Sequence, residues 1–591
     1  MQFEELLLKV EKPARYTGGE YNTPNMRKPH KLSFCICFPD IYEVAMSNLG
    51  IAILYDTLNK NKDIVAERCF APWIDMGALL KENKIPLMSI ETKKKLRDFD
   101  IIGFSLQYEM SYTNILYMLD LAGIPFRAKD RDENYPIVVA GGPCSANPEP
   151  FADFFDIVFI GEAEEIDNKL CELIIKNGKD KEKILKKASE IEGLYVPSFA
   201  DMKNGINQKS VKKAAVNLET SHYPLNPLIP NIEIVHNRAI IELFRGCYAG
   251  CRFCQACFFY RPVRYREREK VVGYAKHLLK STGYDEIGLS SLSTGDYEEI
   301  IPVITQIKEL ANSKNVNLQL PSLRLDSFSK EMLKSARKSS LTFAPEAGSQ
   351  RLRNVTNKNI TEDDIEKTMT KAFEAGYKSI KLYFMLGLPT ETKEDILKIA
   401  DIVAKIKEIY YRVNQKRGVK ITVSTAMFIP KPLTPFQWCR QITIDEMIKR
   451  QTLLRNELRK FKNVNYNWHC AETSMLEGIF ARGDRRLSYL IEKAYREGCY
   501  FDGWSELFKY DRWQRAIEKL GVKTEDYLSE KEIESPLPWD FIDFGVKREY
   551  LENEYKRALE EKTSPSCKYV CRGCGANEVM DCRRHKGEPN A

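Results

Sequence analysis

Four cysteines stand within the thirteen residues RGCYAGCRFCQAC, directly after an apolar run. Cys247, Cys251 and Cys254 have the spacing C-x-x-x-C-x-x-C, and Cys257 follows close behind. Thiolates are soft ligands that hold iron–sulfur clusters or zinc. Three of them on one short loop can hold three irons of a [4Fe–4S] cluster and leave the fourth iron open. A structural zinc ion needs a fourth protein ligand, which Cys257 would provide, so zinc remains the alternative.

The cysteine loop opens a series of alternating strand-like and helix-like segments. Two of the helices begin with Thr and carry an acid three residues later, as in a capping box: Thr361 with Asp364, and Thr392 with Asp395. Six strand–helix units predict a partial (β/α)6 TIM-like barrel, in which functional side chains lie at the C-terminal ends of the strands. The predicted strands are 239–244, 286–293, 316–324, 341–348, 379–389 and 420–430.

A second alternation precedes the cysteine loop, between about Lys31 and Glu164. Its strands predict a flavodoxin-like, doubly wound parallel sheet with ligand-binding loops at the carboxyl ends of the strands. The predicted strands are 33–38, 100–106, 136–142 and 155–161. We expect one domain at 1–205, a polar, Pro-rich linker at 206–237, the barrel at 238–465, and a mainly helical region with a Cys-rich tail at 466–591.

The bulk composition describes an ordinary globular protein, since 43% of its 591 residues are hydrophobic and 29% are charged. The net charge of +7 permits an anionic partner without requiring one. No apolar run approaches the roughly 18 residues of a membrane span, and MQFEELLLKVEK lacks the order of a signal peptide. We therefore expect a cytoplasmic protein, whose 16 cysteines are buried thiols or metal ligands.

The cysteine loop resembles the radical S-adenosylmethionine (SAM) superfamily, whose motif is C-x-x-x-C-x-x-C with an aromatic residue, here Phe253, before the last cysteine. The resemblance implies that the open iron chelates the amino and carboxylate groups of SAM. It also implies reductive cleavage of SAM to methionine and a 5′-deoxyadenosyl radical, which abstracts hydrogen from a substrate. Such an enzyme needs an electron donor such as flavodoxin or ferredoxin.

Further segments resemble the SAM-binding parts of that superfamily. SLSTGDY ends the second strand where members carry Gly-Gly-Glu, and this chain has Thr294, Gly295 and Asp296 there. FAPEAGSQRLR is similar to the fourth-strand segment, which implies that Glu346 and Arg351 lie near the ribose and carboxylate of SAM. LGLPTET (386–392) is similar to the loop that passes the adenine. Arg324, at the end of a predicted strand, contacts SAM or substrate, or forms a structural salt bridge.

The N-terminal half resembles the cobalamin-binding domains that are fused to radical SAM barrels, mainly in IVVAGGPCSANPEPF and FIGEAEE. This implies a cofactor site formed by a serine, three glycines and a glutamate: Ser105, Gly141, Gly142, Gly161 and Glu162. Many such domains carry Asp-x-His-x-x-Gly, but here Tyr42 stands in the histidine position after Asp40. Any bound cobalamin would lack a histidine on its lower face. The alternative is a flavodoxin-like domain that binds no cofactor and serves as a scaffold.

The C-terminal tail repeats the C-x-x-x-C-x-x-C spacing in Cys567, Cys571 and Cys574, and Cys582 follows. These thiols predict a zinc site or a second iron–sulfur cluster, the alternative being incidental thiols or contacts to another protein. The run FFYRPVRYREREK (258–270) mixes aromatic and basic residues and is interpreted as an RNA-binding surface or a solvated helix entry.

The sequence as a whole predicts a radical SAM enzyme that methylates an unactivated carbon with the help of cobalamin. A radical rearrangement or oxidation without cobalamin is the alternative chemistry. No residue identifies the substrate, and the resemblance implies a macromolecule such as RNA or protein. An iron–sulfur module that binds RNA or protein, or senses redox state, is the alternative from outside enzymology. An enzyme forms 5′-deoxyadenosine from SAM under reduction, and a binding module does not.

Overall fold

The computed structural model describes residues 3–203, 206–312, 315–319 and 340–582. The chain forms two compact units. The first consists of Met1–Asn237, Phe480–Thr524 and Pro536–Phe544, and the second of Arg238–Ile479, Glu525–Ser535 and Gly545–Ala591. The stretch expected as a linker, 206–237, therefore lies inside the first unit, and the expected C-terminal region is divided between both units.

The first unit contains a six-stranded sheet in the order β2-β1-β3-β4-β5-β6. Its strands are β1 (Leu32–Phe38), β2 (Ile64–Phe70), β3 (Ile101–Ser105), β4 (Ile137–Gly141), β5 (Ile157–Phe159) and β6 (Leu194–Tyr195). Strands β1 to β5 are parallel and β6 is antiparallel to β5. The order 2-1-3-4-5 is that of flavodoxin-like folds, which confirms the predicted sheet.

Helices connect and cover this sheet. They are Phe3–Leu7, Ala14–Thr17, Tyr42–Ala45, Leu49–Lys60, Ile74–Glu82, Tyr112–Ala122, Ile166–Asn177, Lys181–Ala188, Leu487–Arg496 and Tyr510–Leu520. Short strand pairs join Met202–Lys203 to Ile206–Asn207 and Val211–Lys212 to Ile542–Asp543. All seven residues of β1 are buried, as expected of a strand that helices cover on both faces.

The sequence analysis did not predict strand β2, because two charged residues, Glu67 and Arg68, interrupt its apolar run. In the structure the Arg68 side chain is buried between the carboxylates of Glu20, at 3.0 Å, and Glu91, at 2.6 Å. The Glu67 carboxylate accepts a hydrogen bond from the Ser89 hydroxyl at 2.6 Å. Charged side chains are tolerated in a core only when they are paired in this way.

The second unit holds two parallel sheets that carry the six predicted barrel strands. The three-stranded sheet contains β7 (Ala239–Glu242), β8 (Glu286–Ser290) and β9 (Asn317–Gln319). The four-stranded sheet contains β10 (Leu341–Glu346), β11 (Ser379–Leu386), β12 (Lys420–Met427) and β13 (Val464–Trp468). Strand β13 is an addition to the six expected, and its sequence VNYNW is too polar to predict a buried strand.

Helices alternate with these strands as the sequence predicts, and they end in a helix that precedes the tail. They are Gln255–Phe259, Arg268–Ser281, Ile300–Asn312, Gln350–Val355, Glu362–Glu374, Lys393–Asn414, Ile444–Leu458, Ala471–Ala481, Glu525–Leu528 and Arg548–Leu559. Both predicted capping boxes, at Thr361 and Thr392, are present. Within the described part of the chain, no helix is both long and apolar enough to cross a membrane.

Candidate functional site

The cysteine loop follows the short strand Phe244–Arg245 and runs into the helix Gln255–Phe259. Gly246 has φ +91°, and a Cβ there would lie 2.8 Å from the Tyr260 carbonyl oxygen, so the turn requires glycine. Two tight turns follow, in which the Cys254 N–H donates to the Cys251 carbonyl and the Cys257 N–H to the Cys254 carbonyl, each at 3.1 Å. These backbone hydrogen bonds hold Cys251, Cys254 and Cys257 on one compact stretch of chain.

Arg252, a residue inside the motif that the sequence analysis did not single out, anchors this loop. Its side chain is fully buried, and its Nη1 donates to the carbonyl oxygens of Asn354 at 3.1 Å and Val355 at 3.0 Å. Its Nε pairs with the Glu554 carboxylate at 3.1 Å. Burial lowers the pKa of Arg252, and the Glu554 charge opposes that effect. The loop is therefore tied to the segment after β10 and to the last helix.

The thiols of the loop lie within electrostatic reach of one another. A hydrogen bond with Cys257 and burial raise the pKa of Cys247. Burial, followed by the charges of Cys257 and Cys251, raises the pKa of Cys254 to about 12. Thiolates crowded in this way repel one another, and a bound metal cluster removes that repulsion. The donor set therefore fits an iron–sulfur cluster.

Cys257 occupies a different environment from the three motif cysteines. Its Sγ lies 3.5 Å from the Cys247 carbonyl oxygen and 3.8 Å from Nη2 of the buried Arg261. The hydrogen bond from Cys247, followed by the Arg261 charge, lowers the pKa of Cys257 against the effect of burial. Across the described ranges, no three Cys, His, Asp or Glu side chains are placed to hold one metal ion.

Glu346 ends strand β10 in a left-handed conformation, with φ +69°. The register between β10 and β11 shifts between Phe343 and Glu346. Such backbone costs about 1–3 kcal/mol and concentrates at functional sites. Lys358 donates to the Glu346 carboxylate at 3.1 Å, and its charge acts on Cys254, whose pKa it lowers against the larger effect of burial. Lys358, which no sequence pattern indicated, therefore links Glu346 to the cysteine loop.

The predicted segment after β8 forms a short 3-10 turn, Thr294–Asp296, which includes Gly295. Thr294 is buried with its hydroxyl 3.0 Å from that of Ser291, and the Ser293 hydroxyl donates to the Asp296 carboxylate at 2.6 Å. Asp296 and Tyr248, the latter from the cysteine loop, line one cavity of about 70 Å³. The structure therefore brings the β8 turn and the cysteine loop together.

Three further positions were predicted to lie near SAM, namely Phe253, Arg324 and Arg351. Phe253 is half-buried within the cysteine loop. Arg324 lies outside the described residues. Arg351 forms an ion pair with Asp395 and donates to the Thr390 carbonyl at 2.8 Å, so it holds the segment 386–392 in place. These contacts engage its guanidinium, and a role near SAM stays a prediction.

The segment 386–392 contains a buried acid, Glu391, which the sequence analysis did not identify. Its carboxylate accepts hydrogen bonds from the Gly387 N–H and from Nε of Arg450, both at 2.9 Å. Burial raises the pKa of Glu391 to about 7, because these hydrogen bonds and the Arg450 charge only partly compensate for lost solvation.

The residues predicted to bind cobalamin lie at the carboxyl end of the first unit's sheet. The Ser105 hydroxyl accepts from the Gln107 side chain at 2.8 Å, and the Glu162 carboxylate accepts from the Val216 N–H at 2.7 Å. Added Cβ atoms would lie 2.6 Å from the Leu106 carbonyl oxygen at Gly142, 2.2 Å from the Ala214 carbonyl oxygen at Gly161, and 3.2 Å from Cβ of Phe159 at Gly141. The chain's own packing thus accounts for these residues, and cofactor binding there stays a prediction.

Tyr42, which stands in the place of a cobalt-ligating histidine, is buried. Its hydroxyl donates to the Glu20 carboxylate at 3.1 Å, and burial raises its pKa. Asp40, two residues earlier, accepts from the Trp504 indole N–H at 3.0 Å. The loop after β1 is therefore occupied by contacts inside the first unit.

Two family models match this chain. Residues 50–197 match the model described as radical SAM proteins, N-terminal, and residues 241–403 match that of the radical SAM superfamily. The second match contains Cys247, Cys251, Cys254, Glu346 and Lys358.

Among individual proteins, the uncharacterised protein MJ0966 of Methanocaldococcus jannaschii is 28% identical over 490 residues, which cover 82% of this chain and 97% of that protein. Among solved structures, the cobalamin-dependent SAM radical enzyme OxsB has a TM-score of 0.47 at 14% identity, covering 90% of this chain and 83% of OxsB. The radical SAM methyltransferase TsrM from Kitasatospora setae has a TM-score of 0.46 at 14% identity, covering 66% of this chain and 72% of TsrM.

Proposed function

Because this chain carries the N-terminal and core domains of radical SAM proteins, we propose that it cleaves SAM reductively and applies the resulting 5′-deoxyadenosyl radical to a substrate. The observation that carries the proposal is the loop after the first barrel strand, where Cys247, Cys251 and Cys254 lie on one short stretch of chain inside the matched radical SAM core. A [4Fe–4S] cluster on Cys247, Cys251 and Cys254 would supply the electron that breaks a carbon–sulfur bond of SAM.

The remaining residues position SAM and shield the reaction. In this proposal the Glu346 carboxylate accepts hydrogen bonds from hydroxyl groups of the ribose, and Lys358, which donates to that carboxylate at 3.1 Å, orients it. Thr294 and Asp296 provide oxygens for the amino group of SAM, with Asp296 held by Ser293. Arg252 keeps the cysteine loop from moving while the cofactor binds, since it is fully buried and bonded to separate segments.

The finer proposal is methylation of an unactivated carbon, with cobalamin on the first unit's sheet as the methyl carrier. Its support is the flavodoxin-like strand order and the resemblance of the loops that carry Ser105, Gly142 and Gly161. Tyr42 stands where many such domains carry the cobalt-ligating histidine, so a corrinoid here would bind without that ligand.

A radical rearrangement or oxidation without cobalamin is the second candidate. One observation favours it, namely that the loop after β1 is engaged by Trp504 through Asp40, and Glu162 by Val216. In that case the N-terminal sheet is a scaffold. Cobalt content decides between the two, since methylation through cobalamin requires about one cobalt per chain.

The test of the main proposal is anaerobic incubation of the reconstituted protein with dithionite and SAM, followed by quantification of 5′-deoxyadenosine. We expect product from the native chain and from Cys470→Ser, which changes an exposed thiol outside the motif. Cys254→Ala should form at least about 100-fold less 5′-deoxyadenosine, because the cluster loses a ligand. If the native chain with a full iron complement forms none, the protein is a binding or redox-sensing module.

Flavodoxin or ferredoxin is the proposed physiological electron donor, and RNA or protein the proposed substrate. Replacement of dithionite by a reduced flavodoxin tests the first of these.

A further inference from the structure

The four-stranded sheet of the second unit has one apolar face and one polar face. Along strand β11, buried residues alternate with more exposed ones, as expected when helices cover only one face of a sheet. The covered face packs in a core with the surrounding helices, and its strand members include Ile380, Leu382, Phe384, Ile421 and Val423. Because helices lie outside the strands in this type of barrel, the other face is turned toward the barrel interior.

Strand register places polar residues of that inner face in two rows. Neighbouring parallel strands lie about 4.8 Å apart, and the rows are two residues apart along each strand, or about 7 Å, so one small molecule can reach both. We call these six residues the inner polar face. Its rows, which run across β11, β12 and β13, are Lys381–Thr422–Asn465 and Tyr383–Ser424–Asn467.

The side chains of the inner polar face form no hydrogen bond or ion pair with any other residue in the part of the chain that the structure describes. The Lys381 ammonium lies over the Tyr383 ring, 4.9 Å from its centroid, and Tyr383 is 37% exposed. Ser424 is only 7% exposed. A hydroxyl buried to that extent normally has a hydrogen-bond partner, and no described residue supplies one.

This face departs from what a β/α barrel usually carries. Branched apolar side chains generally fill the interior of such a barrel, and parallel sheets are generally covered on both faces. Here Asn465 and Asn467 of β13 are exposed, and Lys381 of β11 is only half-buried. Polar groups that the fold leaves unbonded in a concave interior are typical of a ligand site rather than of a packed core.

The inner polar face lies close to the level of Glu346, the residue proposed to hold the ribose of SAM. Glu346 is paired in register with Phe384. Tyr383 precedes Phe384 on β11, so the face begins about 3.3 Å from that level along the strand. A molecule bound on this face would therefore lie next to the proposed SAM site.

The residue types indicate which ligand the face suits. Lys381 supplies a positive charge and three donors, and no described carboxylate pairs with it. The amides of Asn465 and Asn467 and the hydroxyls of Thr422 and Ser424 can each donate and accept hydrogen bonds. The matching ligand has several hydroxyl groups and one anionic group, which binds the ammonium by a charge-assisted hydrogen bond. A sugar phosphate combines these features.

We propose that the inner polar face binds the substrate, and that this substrate is a sugar phosphate, either free or within an RNA chain. Its phosphate binds Lys381, and its hydroxyl groups bind the amides and hydroxyls of β12 and β13. This inference rests on the proposed function, because it places the substrate in the barrel in which SAM is cleaved.

The test is isothermal titration calorimetry on the full chain, reconstituted anaerobically and without reductant, with ribose 5-phosphate and ribose as probes. Ribose should bind at least about 10-fold more weakly than ribose 5-phosphate, because it lacks the group that pairs with Lys381. Lys381→Met should weaken ribose 5-phosphate by about 10-fold and leave ribose unchanged, and Lys381→Arg should keep most of the affinity. Lys378→Met, at an exposed lysine three residues earlier, is the matched control and should bind as the native chain does.

A second variant tests the uncharged part of the face. Asn467→Ala should weaken both ribose and ribose 5-phosphate by about 5-fold, because each loses hydrogen bonds to the amide. Circular dichroism checks that each variant is folded, and Asn467→Ala provides the comparison should Lys381→Met not fold. A tetranucleotide of single-stranded RNA is the third probe. Tighter binding of the tetranucleotide identifies RNA as the source of the sugar phosphate, and tighter binding of ribose 5-phosphate identifies a free one.

The inference is overturned if the native chain does not bind ribose 5-phosphate at millimolar concentration. It is also overturned if the folded variants Lys381→Met and Asn467→Ala bind this probe as tightly as the native chain. Failure of the proposed function gives a different pattern, in which ribose 5-phosphate binds in a Lys381-dependent manner but no 5′-deoxyadenosine forms from SAM under reduction.

Discussion

Lys358 donates to the Glu346 carboxylate at 3.1 Å, and the Lys358 charge also lowers the pKa of Cys254 in the cysteine loop against the larger effect of burial. The two residues are twelve positions apart, on either side of the helix Gln350–Val355. Their contact is therefore a product of the fold, and it gives the carboxylate of a strained residue a fixed orientation.

The first prediction concerns this pair. Lys358→Met should lower kcat/KM for SAM in the formation of 5′-deoxyadenosine by about 10-fold, since a hydrogen bond to a charged group contributes about 1.5–3 kcal/mol. The measurement is the initial rate as a function of SAM concentration. Lys378→Met, at an exposed lysine of the same unit, is the matched control and should leave the rate unchanged. A normal rate in Lys358→Met would mean that Glu346 does not bind SAM.

The second prediction separates Cys257 from the three motif cysteines. Cys257→Ala should retain the catalytic cluster, and the electron paramagnetic resonance spectrum of the reduced protein should still change on addition of SAM. Cys254→Ala should lose that change, because the cluster loses a ligand. Loss of the metal from Cys257→Ala, with zinc in the native chain, would instead identify a four-thiolate zinc site.

The third prediction concerns the buried pair of Arg252 and Glu554. The Glu554 side chain is 3% exposed, and it also pairs with Arg572 and accepts from the Ser564 hydroxyl at 3.0 Å. Glu554→Gln leaves a buried guanidinium without its counter-charge, so we expect a loss of about 3 kcal/mol or more in unfolding free energy. Thermal and urea unfolding measure it.

Glu549→Gln is the control for that experiment, because Glu549 is an exposed acid of the same helix. Equal stability of the two variants would show that Arg252 is satisfied by the carbonyl oxygens alone.

The fourth prediction concerns pH. The pKa of Glu391 is about 7 in the folded protein against an ordinary value of 4.5, so the folded state holds the proton more tightly than the unfolded state between these values. Stability from this group is complete below about pH 4.5 and is lost as the pH rises through 7, a change of about 3 kcal/mol. Glu391→Gln should remove this part of the pH dependence.

The measurement is the difference in thermal midpoint between the native chain and Glu391→Gln at pH 5, 6, 7 and 8. We expect that difference to change between pH 5 and 7 and to level off above pH 7. Glu394→Gln, an exposed acid of the same turn, should track the native chain at every pH. A pH-independent difference would show that Arg450 keeps Glu391 ionised throughout.

The sequence by itself determined most of the secondary-structure elements and the cysteine motif. Local patterns were sufficient for six barrel strands, four strands of the N-terminal sheet and two capping boxes, because hydrophobic period and helix-start chemistry depend on neighbours in the chain. The motif of Cys247, Cys251 and Cys254 could be identified for the same reason, since its residues are neighbours in the chain. Strand β2 was missed because Glu67 and Arg68 are buried through partners that are distant in sequence.

Only the tertiary structure decided which distant residues meet. It placed Lys358 on Glu346, Glu554 on Arg252 and Cys567 on Tyr248, and it engaged Arg351 with Asp395. Such contacts depend on how helices and loops pack, and side-chain packing leaves no periodic trace in the sequence. The tail illustrates the difference, since its cysteine spacing predicted a metal site, but only the fold showed that the Cys567 N–H contacts the Tyr248 carbonyl of the cysteine loop.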